Sequence, residues 1–227
     1  MFQAKLIALT QPTEDFKAET GAENAEDIIS YCARVSNPAN QENFDTSAKL
    51  LTFCMRKKHW SIFQMGHLIM KIQCTRDIGR QILRHRSFSF QEFSQRYAAV
   101  NTDDFVIREA RLQDVKNRQM SVETDDVFLK QEWEVYQWEV VRAAKRAYQW
   151  ALDNKIAKEQ ARAVLPEGLT PSTMFMGGLL RDWIFFCTVR MREGETQKEH
   201  VEVAKSCWDI LKRAYPFLET VNIGDYQ

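Results

Sequence analysis

The chain has 227 residues, 44% apolar, 27% charged and 11% aromatic. That is enough for one sizeable core, short for two, and too apolar for intrinsic disorder, so a single domain over 1–227 is expected. Thirty-one basic residues balance 31 acidic ones, which gives no global field toward nucleic acid or an anionic membrane. Any preference for anions must be local.

Residues Phe2 to Ala8 nearly alternate apolar and polar and predict a half-buried strand. The opening MFQAKLIALT has no long apolar core or small-residue cleavage site, and no segment approaches the length of a membrane span. A reducing cytoplasm is the expected compartment, and the five cysteines, odd in number and widely spaced, are expected as buried thiols. Ile28, Ile29, Cys32 and Val35 predict a helix ending before Asn37-Pro38, and a second should open near Thr46, bury Leu50, Leu51 and Cys54, and end about Lys58. The run from Phe63 to Cys74 has the apolar density of a strand, with Gly66 as a bulge. Thr75 is placed to cap a helix running through Arg84, with Ile78 and Ile82 as its buried stripe.

Residues 101 to 127 are polar and lack sustained periodicity, which reads as an excursion or flexible connection. From Leu129 a long amphipathic helix is expected, with Trp133, Tyr136, Val140, Ala143, Ala147 and Ala151 facing the core. A shorter helix should carry Ile156 to Leu165 and stop at Pro166, followed by a strand over Thr170 to Met176. After Gly177-Gly178, LLRDWIFFCTVRMR reads as a helix, and Lys198 to Ala214 as another with Val201, Ala204, Trp208 and Leu211 on one face. Strands and helices do not alternate regularly, so the expected class is α+β, with a central, mostly antiparallel sheet surrounded by helices.

The segment TRDIGRQILRHRSFSFQEFSQRY, residues 75 to 97, holds Arg76, Arg80, Arg84, Arg86 and Arg96 against only Asp77 and Glu92. Arg76, Arg80 and Arg84 recur every four residues and share one helical face with Gln81 nearby, a stripe able to grip phosphate or simply to sit solvated and ion-paired. Three arginines alone would leave the solvated face favoured. The frame around them decides otherwise: Arg84-His85-Arg86, seven residues, then Ser94-Gln95-Arg96.

This arrangement resembles the signature of the flavin-dependent thymidylate synthases, and the resemblance runs from residue 2 to about 215. HWSIF at 59–63, ARAVLP at 161–166 and RDWIFFCTVR at 181–190 resemble further family segments. It implies FAD as cofactor, dUMP as substrate, 5,10-methylenetetrahydrofolate and NADPH as co-substrates, and a homotetramer with FAD between subunits. By the same resemblance, Ser61, Arg84, His85, Arg86, Glu92 and Arg181 would hold FAD. Gln81, Arg84, Glu92, Ser94, Gln95, Arg96, Arg162 and Arg190 would hold dUMP. Arg190 matches the arginine that, in the family, favours ionisation at N3 of the pyrimidine, which is electrostatic activation.

Gln64, Gln95 and Phe185 depart from the usual family residues, and Phe185 puts one flavin-side contact in question. No cysteine sits beside a histidine or basic cluster that would make it a nucleophile, and Ser94 lacks a base at relay spacing, so a hydrogen bond to nucleotide suits it better. His59, His67 and His200 show no metal-ligand spacing, and no Gly-x-Gly-x-x-Gly or P-loop pattern occurs. The competing class is an RNA-binding module that stacks bases on Phe88, Phe90, Phe93 and Tyr97; a steep salt dependence without bound flavin would mark it. A fold relative that keeps FAD but has lost thymidylate synthesis is a third reading, weakened by the complete arginine set.

Overall fold

A computed structural model describes residues 1–226. The N-terminal alternation forms β1 (Gln3–Leu9), followed by α1 (Glu14–Thr20) and α2 (Ala25–Ala33). Asn24 accepts the amides of Glu26 and Asp27, while Asp27 bonds back to the Asn24 amide, a capping box that sets where α2 starts. Its end precedes Asn37-Pro38 as expected, and Val35 lies beyond it, exposed. Next, α3 (Ser47–Arg56) buries Leu51 and Cys54 and half-buries Leu50.

The expected strand from Phe63 is shorter in fact: Trp60–Gln64 is a 3₁₀ turn, and β2 runs His67–Thr75. Gly66 is no bulge. A Cβ there would stand 2.6 Å from the hydroxyl oxygen of buried Tyr215, so its role is close approach. Helix α4 (Arg76–Ile82) follows without a break and stops two residues before Arg84. Thr75 holds the N-cap position but makes no capping bond, because its hydroxyl donates to the Asp77 carboxylate.

After the turn holding Arg84 to Arg86 comes β3 (Ser89–Glu92). Residues 101–127 are ordered by a small hairpin, β4 (Arg111–Gln113) with β5 (Ser121–Glu123), which a polar sequence of short strands did not announce. Then come α5 (Val127–Asp153), α6 (Lys158–Ala161), β6 (Pro171–Leu179), α7 (Leu180–Arg190) and α8 (Lys198–Ala214). Between α6 and β6, Arg162–Val164 is 3₁₀, so the expected 156–165 helix is one turn of α followed by a tighter one.

The main sheet has the order β1-β2-β6-β3 with every pairing antiparallel, an α+β architecture. Leu68, Met70, Ile72 and Cys74 of β2 alternate inward beside Met174 and Met176 of β6, and this face meets α7 and α8 in the main core. The glycine pair lies inside β6. At Gly178 a Cβ would come within 2.4 Å of the Phe88 ring, so the missing side chain seats that ring against Trp183.

The long helix α5 is present, but its buried face is not the expected one. Of the six residues expected inward only Ala151 is buried, together with Gln137, Val141, Ala144 and Tyr148, whereas Trp133, Tyr136 and Val140 are 44%, 56% and 50% exposed and Ala143 and Ala147 are exposed too. It packs outside the main core in a small cluster with Val100 and Ala161. The Gln137 side chain accepts the Arg108 amide at 2.8 Å and donates to the Arg108 carbonyl at 2.9 Å, replacing strand-like pairing with one side chain. No helix among the described residues is long and apolar enough to cross a membrane.

Candidate functional site

The strand-helix-turn-strand order β2-α4-turn-β3 carries the arginine-rich segment, which α7 reaches through Arg190 and α8 through His200. Two groups of the expected residues form there, on either side of α4.

In the first group, Gln81 from α4, His85 from the following turn and Arg190 from the end of α7 converge. Arg190 donates through Nε to Nε2 of His85 at 2.9 Å. The His85 ring meets Phe186 edge-on at 5.0 Å between centroids. Burial, and next the Arg190 charge, push His85 down to about 4, so it is a neutral ring with Nδ1 protonated and Nε2 accepting. Burial, and next the neighbouring Arg84 charge, lower the pKa of Arg190. Behind them stands His200 of α8, fully buried and held down to about 3 by burial, Arg190 and His85. Gln81 bonds to Gln197 at 2.8 Å and to His200 at 3.2 Å. Neither Gln197 nor His200 carries a sequence signal; a histidine on the inner face of an amphipathic helix, one residue before Val201, was the only clue.

In the second group, Gln95 and Arg162 line a cleft of about 400 Å³ together with Arg76 and Arg80. Arg80 pairs with Glu167, and Arg162 Nε donates to the Glu159 carbonyl at 3.3 Å. Gln95 is 4% exposed and its Nε2 has no partner. A buried amide N–H facing guanidinium groups is a donor awaiting an acceptor, and the set fits a phosphate-sized anion. Glu92, at the end of β3, accepts from Ser172 Oγ at 2.7 Å and from Arg76 at 3.4 Å, tying this group to the sheet.

Arg84, Arg86, Ser94 and Arg96 are exposed. Among the described residues no carboxylate pairs with Arg84, Arg86 or Arg96, so three cations stand ready for an anionic ligand instead of the ion-paired face that an arginine stripe usually makes. The structure does not bring Arg181 or Ser61 into either group. Arg181 donates to Asp182 at 3.0 Å and lies nine residues along α7 from Arg190, roughly 13 Å by helical rise. Ser61 is exposed in the 3₁₀ turn, beside Trp60, whose ring packs 4.7 Å from Phe185.

All five thiols are free, and burial raises each, Cys74 up to about 12 with help from the Glu92 and Asp77 charges. None is a thiolate at neutral pH. Among the described residues no three His, Cys, Asp or Glu side chains gather as a metal site would need.

The family model for thymidylate synthase complementing protein matches residues 19–217. A probable flavin-dependent thymidylate synthase of Paramecium bursaria Chlorella virus 1 is 43% identical over 213 residues, 94% of this chain and 95% of that protein. The chain belongs to the flavin-dependent thymidylate synthase family. A flavin-dependent thymidylate synthase of a Synechocystis strain is 44% identical over 212 residues, covering 93% of this chain and 95% of its own. The fold is shared with a UMP/dUMP methylase, PolB, of Streptomyces cacaoi, solved with 5-Br dUMP bound, at a TM-score of 0.76 and 22% identity over 96% of this chain and 92% of that one.

Proposed function

We propose that this protein converts dUMP to dTMP, with FAD as its flavin, 5,10-methylenetetrahydrofolate as one-carbon donor and NADPH as reductant, in a single domain and without a covalent enzyme nucleophile. The observation that carries the reading is the pairing of Arg190 with a neutral His85, next to Arg84, which no carboxylate engages among the described residues.

Arg76, Arg80, Arg162 and the unpartnered Gln95 amide suit the nucleotide's phosphate, with Ser94 and Arg96 at the rim. Gln81 and Arg190, on the other side of α4, suit the uracil ring. Arg84 and Glu92 are assigned contacts to both ligands. Arg84, His85 and Arg86, with Ser61 and Arg181, are the residues we assign to FAD; the exposed guanidinium groups of Arg84 and Arg86, which no carboxylate engages among the described residues, fit its pyrophosphate and ring carbonyls. When bound, the flavin supplies the hydride and the relay of the one-carbon unit, and the protein supplies position and field.

Carbon 5 of uracil is a weak nucleophile. Arg190, a cation that His85 cannot neutralise or repel, would favour the anionic ring by lying against N3, where negative charge develops. A raised pKa at all five thiols supports activation without a cysteine adduct. Ser94 is assigned a hydrogen bond, so Ser94→Ala should keep part of the activity.

A homotetramer with flavin at the subunit boundary is part of this reading. Its support is the row of apolar side chains that α5 leaves in solvent and the distance of Ser61 and Arg181 from the two groups within one chain. The purified protein should bind FAD, change the flavin spectrum on titration with dUMP, and release tritium from dUMP labelled at carbon 5 when both co-substrates are supplied. A protein that ignores added FAD would end the proposal.

A further inference from the structure

Behind Gln81, side chains with no ligand role make an unbroken hydrogen-bond chain whose direction can be deduced. It begins at Glu199 in the first turn of α8, 5% exposed. Arg108 approaches its Oε1 at 3.0 Å and Arg111 donates to the same atom. Burial opposes ionisation, but the Arg111 hydrogen bond and the two positive charges outweigh it and bring the carboxyl down to about 2. Such a group only accepts hydrogen bonds.

Gln197 meets Glu199 Oε2 at 3.0 Å and must present Nε2 there, which turns its Oε1 toward Gln81. Gln81 must then donate through Nε2, leaving its own Oε1 toward Nδ1 of His200. His200 must donate, so its proton is on Nδ1, and its buried Nε2 is the bare atom without a partner. Reversing any amide sets two acceptors or two donors against each other somewhere along the chain.

We infer that this chain, Arg111–Glu199–Gln197–Gln81–His200, locks the donor–acceptor sense of the Gln81 amide and so makes the site select a uracil over a cytosine ring. Gln197, Glu199 and His200 are positioning residues for base recognition. The inference rests on the reading of Gln81 as a contact to dUMP. A primary amide has two N–H donors and two lone pairs. Here one of each is taken, leaving one of each for a ligand. The neutral uracil ring, as bound before ionisation at N3, offers acceptor O4 beside donor N3–H, whereas cytosine offers donor N4 beside acceptor N3, the opposite sense. A glutamine free to turn over would serve either base; a locked one rejects the second, because accepting it leaves polar groups unpaired.

The test is equilibrium binding of dUMP and dCMP to flavin-loaded protein. Gln197→Met keeps length and removes both bonds at a half-buried position. His200→Leu removes the terminal donor, and His200→Asn returns an N–H near Nδ1. We expect Gln197→Met and His200→Leu to lower the dUMP:dCMP affinity ratio by about tenfold, with flavin occupancy kept, and His200→Asn to recover it. Should His200→Leu fail to fold, the Gln197→Met ratio decides alone. An unchanged ratio with dUMP still bound would overturn the locking role and leave the proposed function intact. A wild-type protein that binds flavin but not dUMP would overturn both.

Discussion

Arg190 and His85, 105 positions apart in sequence, share one hydrogen bond of 2.9 Å from guanidinium Nε to imidazole Nε2. Because Nε2 accepts, the ring is neutral, and the arginine keeps its full charge while losing one degree of freedom. Among the described residues no other hydrogen bond or ion pair engages this guanidinium, which leaves its other N–H groups for a ligand.

Removing this charge should separate turnover from cofactor binding. Arg190→Ala is expected to lower kcat by about 10²–10³-fold, the loss typical of a group that stabilises developing negative charge. Flavin absorbance per subunit should stay near that of the wild type. Equal losses of turnover and flavin would reassign Arg190 to the cofactor.

The two depressed histidines make stability depend on pH. His85 and His200 sit at about 4 and about 3 in the folded chain, below the ordinary 6.5. Between those values and 6.5 the unfolded chain binds protons that the folded chain refuses, so stability falls as pH is lowered from about 6.5 toward 4. Each histidine contributes a slope of at most about 1.4 kcal/mol per pH unit in that window. Urea midpoints measured from pH 7 to pH 4 should therefore drop, and His200→Asn should flatten the drop. A slope unaffected by that substitution would mean that His200 takes up its proton in the native state.

Gly178→Ala tests the seat of the Phe88 ring. The added methyl would lie 2.4 Å from Phe88 Cδ1, between β6 and the turn that leads from Arg84 to β3. Overpacking of this kind costs about 1–3 kcal/mol, read as a lower denaturant midpoint, and displacement of Phe88 should also weaken flavin binding. A variant as stable as the wild type would show that Phe88 can swing aside at little cost.

The ease with which these parts could be read from sequence differed for physical reasons. Helix α8 runs over Lys198–Ala214 as expected, since Val201, Ala204, Trp208 and Leu211 form a stripe that one core absorbs. In α5 the helical period was clear but the face was not: Trp133, Tyr136 and Val140 outweigh Gln137 and Ala144 in hydrophobicity, yet the latter are buried. Periodicity reports an apolar face and cannot say whether its own core or another chain covers it. Phe63 is as apolar as a strand residue, but it lies in the 3₁₀ turn Trp60–Gln64, and a buried apolar side chain suits either structure. At the site, adjacent residues Arg84-His85-Arg86 were legible as a motif. Gln197 and His200 were not, because hydrogen-bond direction is a property of the assembled set and no single residue carries it.

The exposed face of α5 yields the last expectation. Tyr136 and Val140 lie four residues apart on one side of the helix, 56% and 50% exposed, with Trp133 beside them. An apolar row of this length on a protein with no net charge would drive uncontrolled association unless a defined partner covered it. In a closed homotetramer the same row on each subunit meets its symmetry mates, and the double substitution Tyr136→Glu, Val140→Glu would place like charges in that contact. Sedimentation velocity should then show species smaller than the wild-type assembly, with flavin lost in step, since Ser61 and Arg181 stand outside the cluster that one chain builds around His85. A double variant that keeps both its mass and its flavin would show that the subunits meet elsewhere and that α5 faces solvent.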